Sequence, residues 1–95
     1  MAECLLVVES RPSSADEEQD FHAWYDDVHL PEVLALEGFR SARRWPDREA
    51  GSWFAIYEID ADVETARKRL NDALPSMQRP VGVQLSPPPV IRWLG

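Results

Sequence analysis

Ser52-Trp53-Phe54-Ala55-Ile56-Tyr57-Glu58-Ile59 is apolar at nearly every position, so a strand formed here is apolar on both faces. Strict alternation marks a strand with one wet face, whereas a run like this marks a strand covered on both. Glu3 to Ser10 (ECLLVVES) repeats the pattern, with an unbroken apolar centre from Leu5 to Val8. Two such segments belong at the middle of a sheet, and the rest of the chain has to supply its edges and its covering layers.

Upstream, Phe39 to Trp45 (FRSARRW) alternates and is followed by the turn residues Pro46, Asp47 and Gly51, which predicts a hairpin with Ser52–Ile59. Downstream, Asp60 or Asp62 is placed to cap a helix whose stripe is Val63, Ala66, Leu70, Ala73 and Leu74, before Pro75 stops it. Between the first strand and the hairpin, Pro12 breaks the chain. Ser14 and Glu17 then have the spacing of a capping box, and Phe21, Trp24, Tyr25 and Val28 form one apolar stripe. Pro31 predicts a kink or a fresh short helix carrying Val33, Leu34 and Leu36, and Gly38 ends it in the left-handed region. In the tail, Val81 to Leu85 alternates as a fourth strand, Pro87 to Pro89 reads as extended, and Val90 to Leu94 reads as a further strand or an arm.

The order strand, helix, strand, strand, helix, strand predicts an α+β, ferredoxin-like βαββαβ domain over residues 1–95, with an antiparallel sheet and a Pro-rich C-terminal arm at 86–95. Two helices cover one face of that sheet only. A second copy of the sheet is the cheapest cover for the other, which predicts a homodimer whose sheets face each other as a barrel. A chain of 95 residues buries only about two-thirds of the surface its unfolded form exposes, which favours the same solution.

The net charge of -7 argues against nucleic acid or an anionic membrane as partner, because phosphate binding needs concentrated Lys and Arg. The one cysteine, Cys4, has no partner for an internal disulfide, and no signal peptide or long apolar span opens the chain. A cytoplasmic location is expected. Four scattered glycines form no phosphate-binding loop, so no nucleotide cofactor is expected.

His29 is the leading chemical candidate, since an imidazole exchanges protons near neutral pH and the Pro31 break sets it at a helix junction. The plainer alternative is that it caps the helix or fills a polar gap. His22, Asp26 and His29 are spaced by four and three and would share a helical face as a possible metal set. Pro31 disturbs that face and no further histidine exists, so no metal is expected. Arg40, Arg43 and Arg44 lie on one strand, and alternation puts Arg43 beside Phe39, Ser41 and Trp45, where it would clamp an anion. Edge-strand arginines also block stray pairing and pair with Glu9, Asp27 or Glu37. Trp24, Tyr25, Trp45, Trp53 and Tyr57 are the aromatics available to line a flat-ligand pocket.

The run Trp24-Tyr25-Asp26-Asp27-Val28-His29-Leu30-Pro31, then Val33-Leu34, Glu37-Gly38-Phe39 and Ala42-Arg43-Arg44-Trp45, resembles the EthD-like branch of the dimeric α+β barrel proteins over Phe21 to Tyr57. It departs from the common pattern at Val28, where an acidic residue often precedes the histidine. The resemblance implies a homodimer acting on a small organic molecule, and it points to His29 as the central motif residue. Cofactor-free oxygenation, cyclisation and isomerisation in secondary metabolism are among the activities it implies. The expected catalytic residues are His29 as base with Tyr25 and Arg43, and the expected ligand contacts are His22, Trp24, Trp45 and Trp53. The competing expectation is a non-catalytic small-molecule-binding or structural homodimer.

Overall fold

Four antiparallel strands run in the order β2-β3-β1-β4: β1 is Cys4–Ser10, β2 Phe39–Asp47, β3 Ser52–Ile59 and β4 Val90–Leu94. The computed structural model describes residues 2–78 and 88–95. The two segments apolar on both faces are the central strands, as their composition requires. Of the two tail segments, Val90–Leu94 supplies the strand next to β1, pairing from Leu5↔Leu94 to Glu9↔Val90, while Val81 to Leu85 falls outside the described residues. The chain is thus an α+β protein of ferredoxin-like architecture. No helix among the described residues is long and apolar enough to cross a membrane.

The first helical segment departs from expectation at both ends. Ser14 precedes a short 3-10 turn, Ala15–Glu17, and makes no side-chain cap bond to it; instead the Ser13 and Ser14 hydroxyls both donate to the Glu17 carboxylate. From there α1 (Glu18–Trp24) passes into a π turn (Tyr25–His29) and on into α2 (Leu30–Leu34) without a break. The Leu30 N–H donates to the Tyr25 carbonyl five residues back. Proline lacks an N–H and its ring crowds the carbonyl four residues earlier, so a widened turn just before Pro31 absorbs what would otherwise be a kink. Gly38 then turns the chain at φ +86°, where an added Cβ would lie 3.3 Å from the Asp60 carbonyl oxygen.

Strand β2 carries a bulge between Phe39 and Ser41, which leaves Arg40 outside the pairing. A single extra residue exchanges the faces of everything after it. Ala42↔Tyr57 and Arg44↔Ala55 therefore join Phe39↔Ile59 on the helix side, and Ser41, Arg43 and Trp45 lie on the opposite side. The expected grouping of Arg43 with Phe39 is corrected by this shift. Pro46 and Asp47 extend the strand rather than turning it. The turn is made by residues 48–51, with Asp47 Oδ1 accepting from the Glu49 and Ala50 N–H groups at 3.1 Å.

Helix α3 (Val63–Ala73) starts at Asp62, whose carboxylate accepts from the Thr65 N–H at 3.1 Å. That bond and the Thr65 hydroxyl hold its pKa below the usual carboxylate value. The core lies between sheet and helices, around Leu6, Phe21, Val33, Tyr57 and Ile59, with Ala66 and Leu70 from α3. The other face of the sheet carries Leu5, Val7, Phe54 and Ile56, half-buried, with Trp45 55% and Val90 50% exposed. Among the described residues nothing covers it.

Candidate active site

A cavity of about 180 Å³ opens between the sheet and the helical layer. Leu6, Val8 and Tyr57 form its floor; Trp24, Tyr25, His29 and Val33 form one wall; and Leu70, Leu74, Pro89 and Ile91 complete it. Its lining is apolar except for three polar side chains: His29, Tyr25 and Tyr57.

His29 closes the π turn. Its ring stacks on Trp24, with centroids 4.5 Å apart and planes at 17°, and meets Tyr25 edge-on at 5.5 Å. Its Nδ1 is buried and, among the described residues, has no hydrogen-bond partner. Burial lowers its pKa below the ordinary 6.5, while the Glu32 carboxylate opposes the shift, so the imidazole is neutral at pH 7. A neutral imidazole on the wall of a cavity can accept a proton from a molecule bound there. Trp24 is itself held: its Nε1 donates to the Gln78 carbonyl at 3.3 Å, and the Gln78 N–H donates to the Glu32 carboxylate at 3.2 Å.

Tyr25 shares a 2.8 Å hydrogen bond with the Ser10 hydroxyl. Burial raises its phenol pKa against the opposing effects of Ser10 and the Arg44 charge, and burial raises Tyr57 further still. Both phenols stay protonated and serve as donors.

Arg44 is the functional-looking residue that alternation missed. Its side chain is only 8% exposed and lies against the rings of Tyr25 (4.7 Å), Trp53 (4.9 Å) and Phe21 (5.4 Å). Nη1 donates to Asp26 Oδ1 at 3.1 Å and Nη2 to His22 Nδ1 at 3.0 Å. A guanidinium only donates, so His22 Nδ1 is the acceptor and its proton sits on Nε2, 3.5 Å from Glu18 Oε1. His22 and Asp26 do share a face, as their spacing predicts, but an arginine occupies the gap between them. Among the described residues no group of three His, Cys, Asp or Glu side chains is assembled for a metal.

The structure therefore brings Trp24, Tyr25 and His29 together at the cavity and gathers His22 and Trp53 around Arg44 beside it. Arg43 and Trp45 lie on the far face of the sheet, so neither reaches the cavity. Arg40 pairs with Asp60 at 3.2 Å, Glu9 accepts from the Ser52 hydroxyl, and Glu58 accepts from Ser41. The bulge that redirects Arg44 has no signature in the local sequence.

No family model matches the chain, and no curated protein matches it. Solved structures do match it. Rv0793 from Mycobacterium tuberculosis superposes with a TM-score of 0.63 at 15% identity, over 98% of this chain and 94% of that one. A protein described as a "putative monooxygenase" from Shewanella loihica PV-4 superposes with a TM-score of 0.53 at 18% identity, over 97% of this chain and 94% of that one. At these identities what is shared is the fold: the chain is similar to both along nearly its whole length, as one ferredoxin-like α+β unit.

Proposed function

We propose that the chain is a small-molecule enzyme of the dimeric α+β barrel kind, EthD-like in its His29 motif, and that it works as a homodimer without a nucleotide or metal cofactor. The observation that carries this reading is His29 on the wall of an apolar cavity, with its buried Nδ1 unpartnered among the described residues. Native structures pair nearly all buried polar atoms, so such an atom on a cavity-lining side chain supports a site that a ligand completes. The full-length likeness to a protein described as a monooxygenase supports an enzymatic reading over a carrier.

His29 acts as general base on an acidic C–H or O–H of the substrate. The electron pair moves onto the substrate oxygen, and the Tyr25 hydroxyl, oriented by Ser10, hydrogen-bonds the anion that forms. Tyr25 takes the role expected of Arg43, which lies too far round the sheet. Return of the proton to a different carbon gives isomerisation, attack of the carbanion on a second carbonyl gives cyclisation, and reaction with dioxygen as co-reactant gives oxygenation.

The test is hydrogen exchange at the activated CH₂ of phenylacetaldehyde in D₂O, followed by NMR. The folded protein should accelerate exchange, and His29→Ala should remove about a hundredfold or more of that rate. Because burial depresses the His29 pKa, the loss of rate on acidification should have its midpoint below pH 6.5. An architectural histidine would instead lower the melting temperature of His29→Ala and leave exchange unchanged, which would overturn the proposal.

A further inference from the structure

The cavity's size, lining and electrostatics together narrow what it can hold. A dry cavity of about 150 Å³ walled by aliphatic and aromatic side chains accommodates benzene, whereas drug-sized ligands need roughly 300–1,000 Å³. At about 180 Å³, this one has room for a single ring with a short substituent. The ring planes of Trp24 and Tyr25 frame it on one side, and Leu6 and Val33 offer flat apolar contact.

The orphan nitrogen of His29 calls for one hydrogen bond. A hydroxyl suits either imidazole tautomer, because it both donates and accepts. Charge is what the site is not built for. The arginine closest to the Tyr25 ring, Arg44, is already engaged by Asp26 and His22 and does not line the cavity, and Arg43 lies across the sheet. Among the described residues, the charged group felt by His29 is the Glu32 carboxylate, which repels anions. An anion entering here would shed its water with no counter-ion among the described residues to meet it, which disfavours its entry.

We infer, resting on the function proposed above, that the site selects an uncharged, single-ring, hydroxyl-bearing aromatic molecule, a phenol in class, and rejects carboxylates and larger ring systems. The orphan nitrogen, the cavity volume and the engaged arginine each contribute one element of that selectivity.

Four probes test it on the unmodified protein by calorimetric titration, with the His29 ring signals followed by NMR: phenol, toluene, benzoate and 9-phenanthrol. Phenol should bind about tenfold tighter than toluene, the scale of one buried hydrogen bond, and should shift the His29 signals. Benzoate and 9-phenanthrol should show no saturable binding at concentrations that saturate phenol. In His29→Phe the advantage of phenol over toluene should vanish while toluene still binds, which also shows that the variant is folded.

Benzoate or 9-phenanthrol binding as tightly as phenol, with His29 signals moving, would overturn the inference and leave His29 as the base. Equal binding of phenol and toluene with His29 unmoved would overturn both. Failure of every probe to saturate would overturn the inference alone, since the exchange experiment reads the base independently.

Discussion

Phe21→Ala is expected to lower the free energy of unfolding by about 3–5 kcal/mol, a large part of what a domain of this size possesses. Phe21 is fully buried and packs edge-on against Tyr25, with centroids 5.1 Å apart, and against His22 at 5.4 Å. Truncation leaves a void between the helix and the sheet. It also strips one of the three rings from around the Arg44 guanidinium, 5.4 Å away, so water reaches a cation that is now dry on that side. A shift in the urea midpoint with an unchanged slope is the expected record of this loss. A change of less than about 1 kcal/mol would mean that the helix settles onto the sheet without the ring, contrary to the cost expected of an unrelaxed cavity.

Ile56→Asp is expected to abolish the proposed dimer. Ile56 sits mid-strand on the face that no helix covers, paired across to Val7 on one side and Arg43 on the other. Its neighbours Leu5, Val7 and Phe54 are half-buried, and Trp45 and Leu94 stand 55% and 49% exposed, an apolar surface of the kind that marks protein–protein contact. A shallow depression of about 300 Å³ on the same face, lined by Val7, Glu9, Phe54, Val90 and Arg92, offers a seat for side chains of a second copy. In a two-fold interface one substitution places a carboxylate in both halves of the contact, desolvated together. Within one chain, however, the new Asp lies beside Arg43 and the fold tolerates it. Light scattering should move from twice the chain mass to the chain mass, with the circular dichroism of the folded state retained. An unmodified protein that scatters as a monomer would remove the dimer from the proposal.

Much of this architecture can be read directly from the amino acids, and the exceptions share one cause. Leu5 to Val8 and Ser52 to Ile59 declare themselves central strands by composition. Asp62 and Pro75 bracket α3, and Gly38 marks its turn through a backbone angle that other residues resist. These are local signals. The side of the sheet on which Arg43 and Arg44 fall is decided by a bulge, and that depends on how β2 registers against β3, which no short window contains. His22 was legible as a neighbour of Asp26, yet the guanidinium that joins them arrives from a strand more than fifteen residues away. Tyr25 and His29 were legible because their helix carries them to the core whatever its pitch.

The π turn has a geometric consequence for Trp24 and His29. In an α-helix successive residues rotate by about 100°, so side chains five apart point about 140° away from each other and never touch. Trp24 and His29 are five apart, and their rings lie nearly parallel at 4.5 Å. On a helical wheel the indole and the imidazole would be assigned to different sides of the cylinder. Their sandwich exists because this one wide turn contains a surplus residue. Deleting Asp27 from the turn would keep every side chain of the site in the protein and dissolve the site itself.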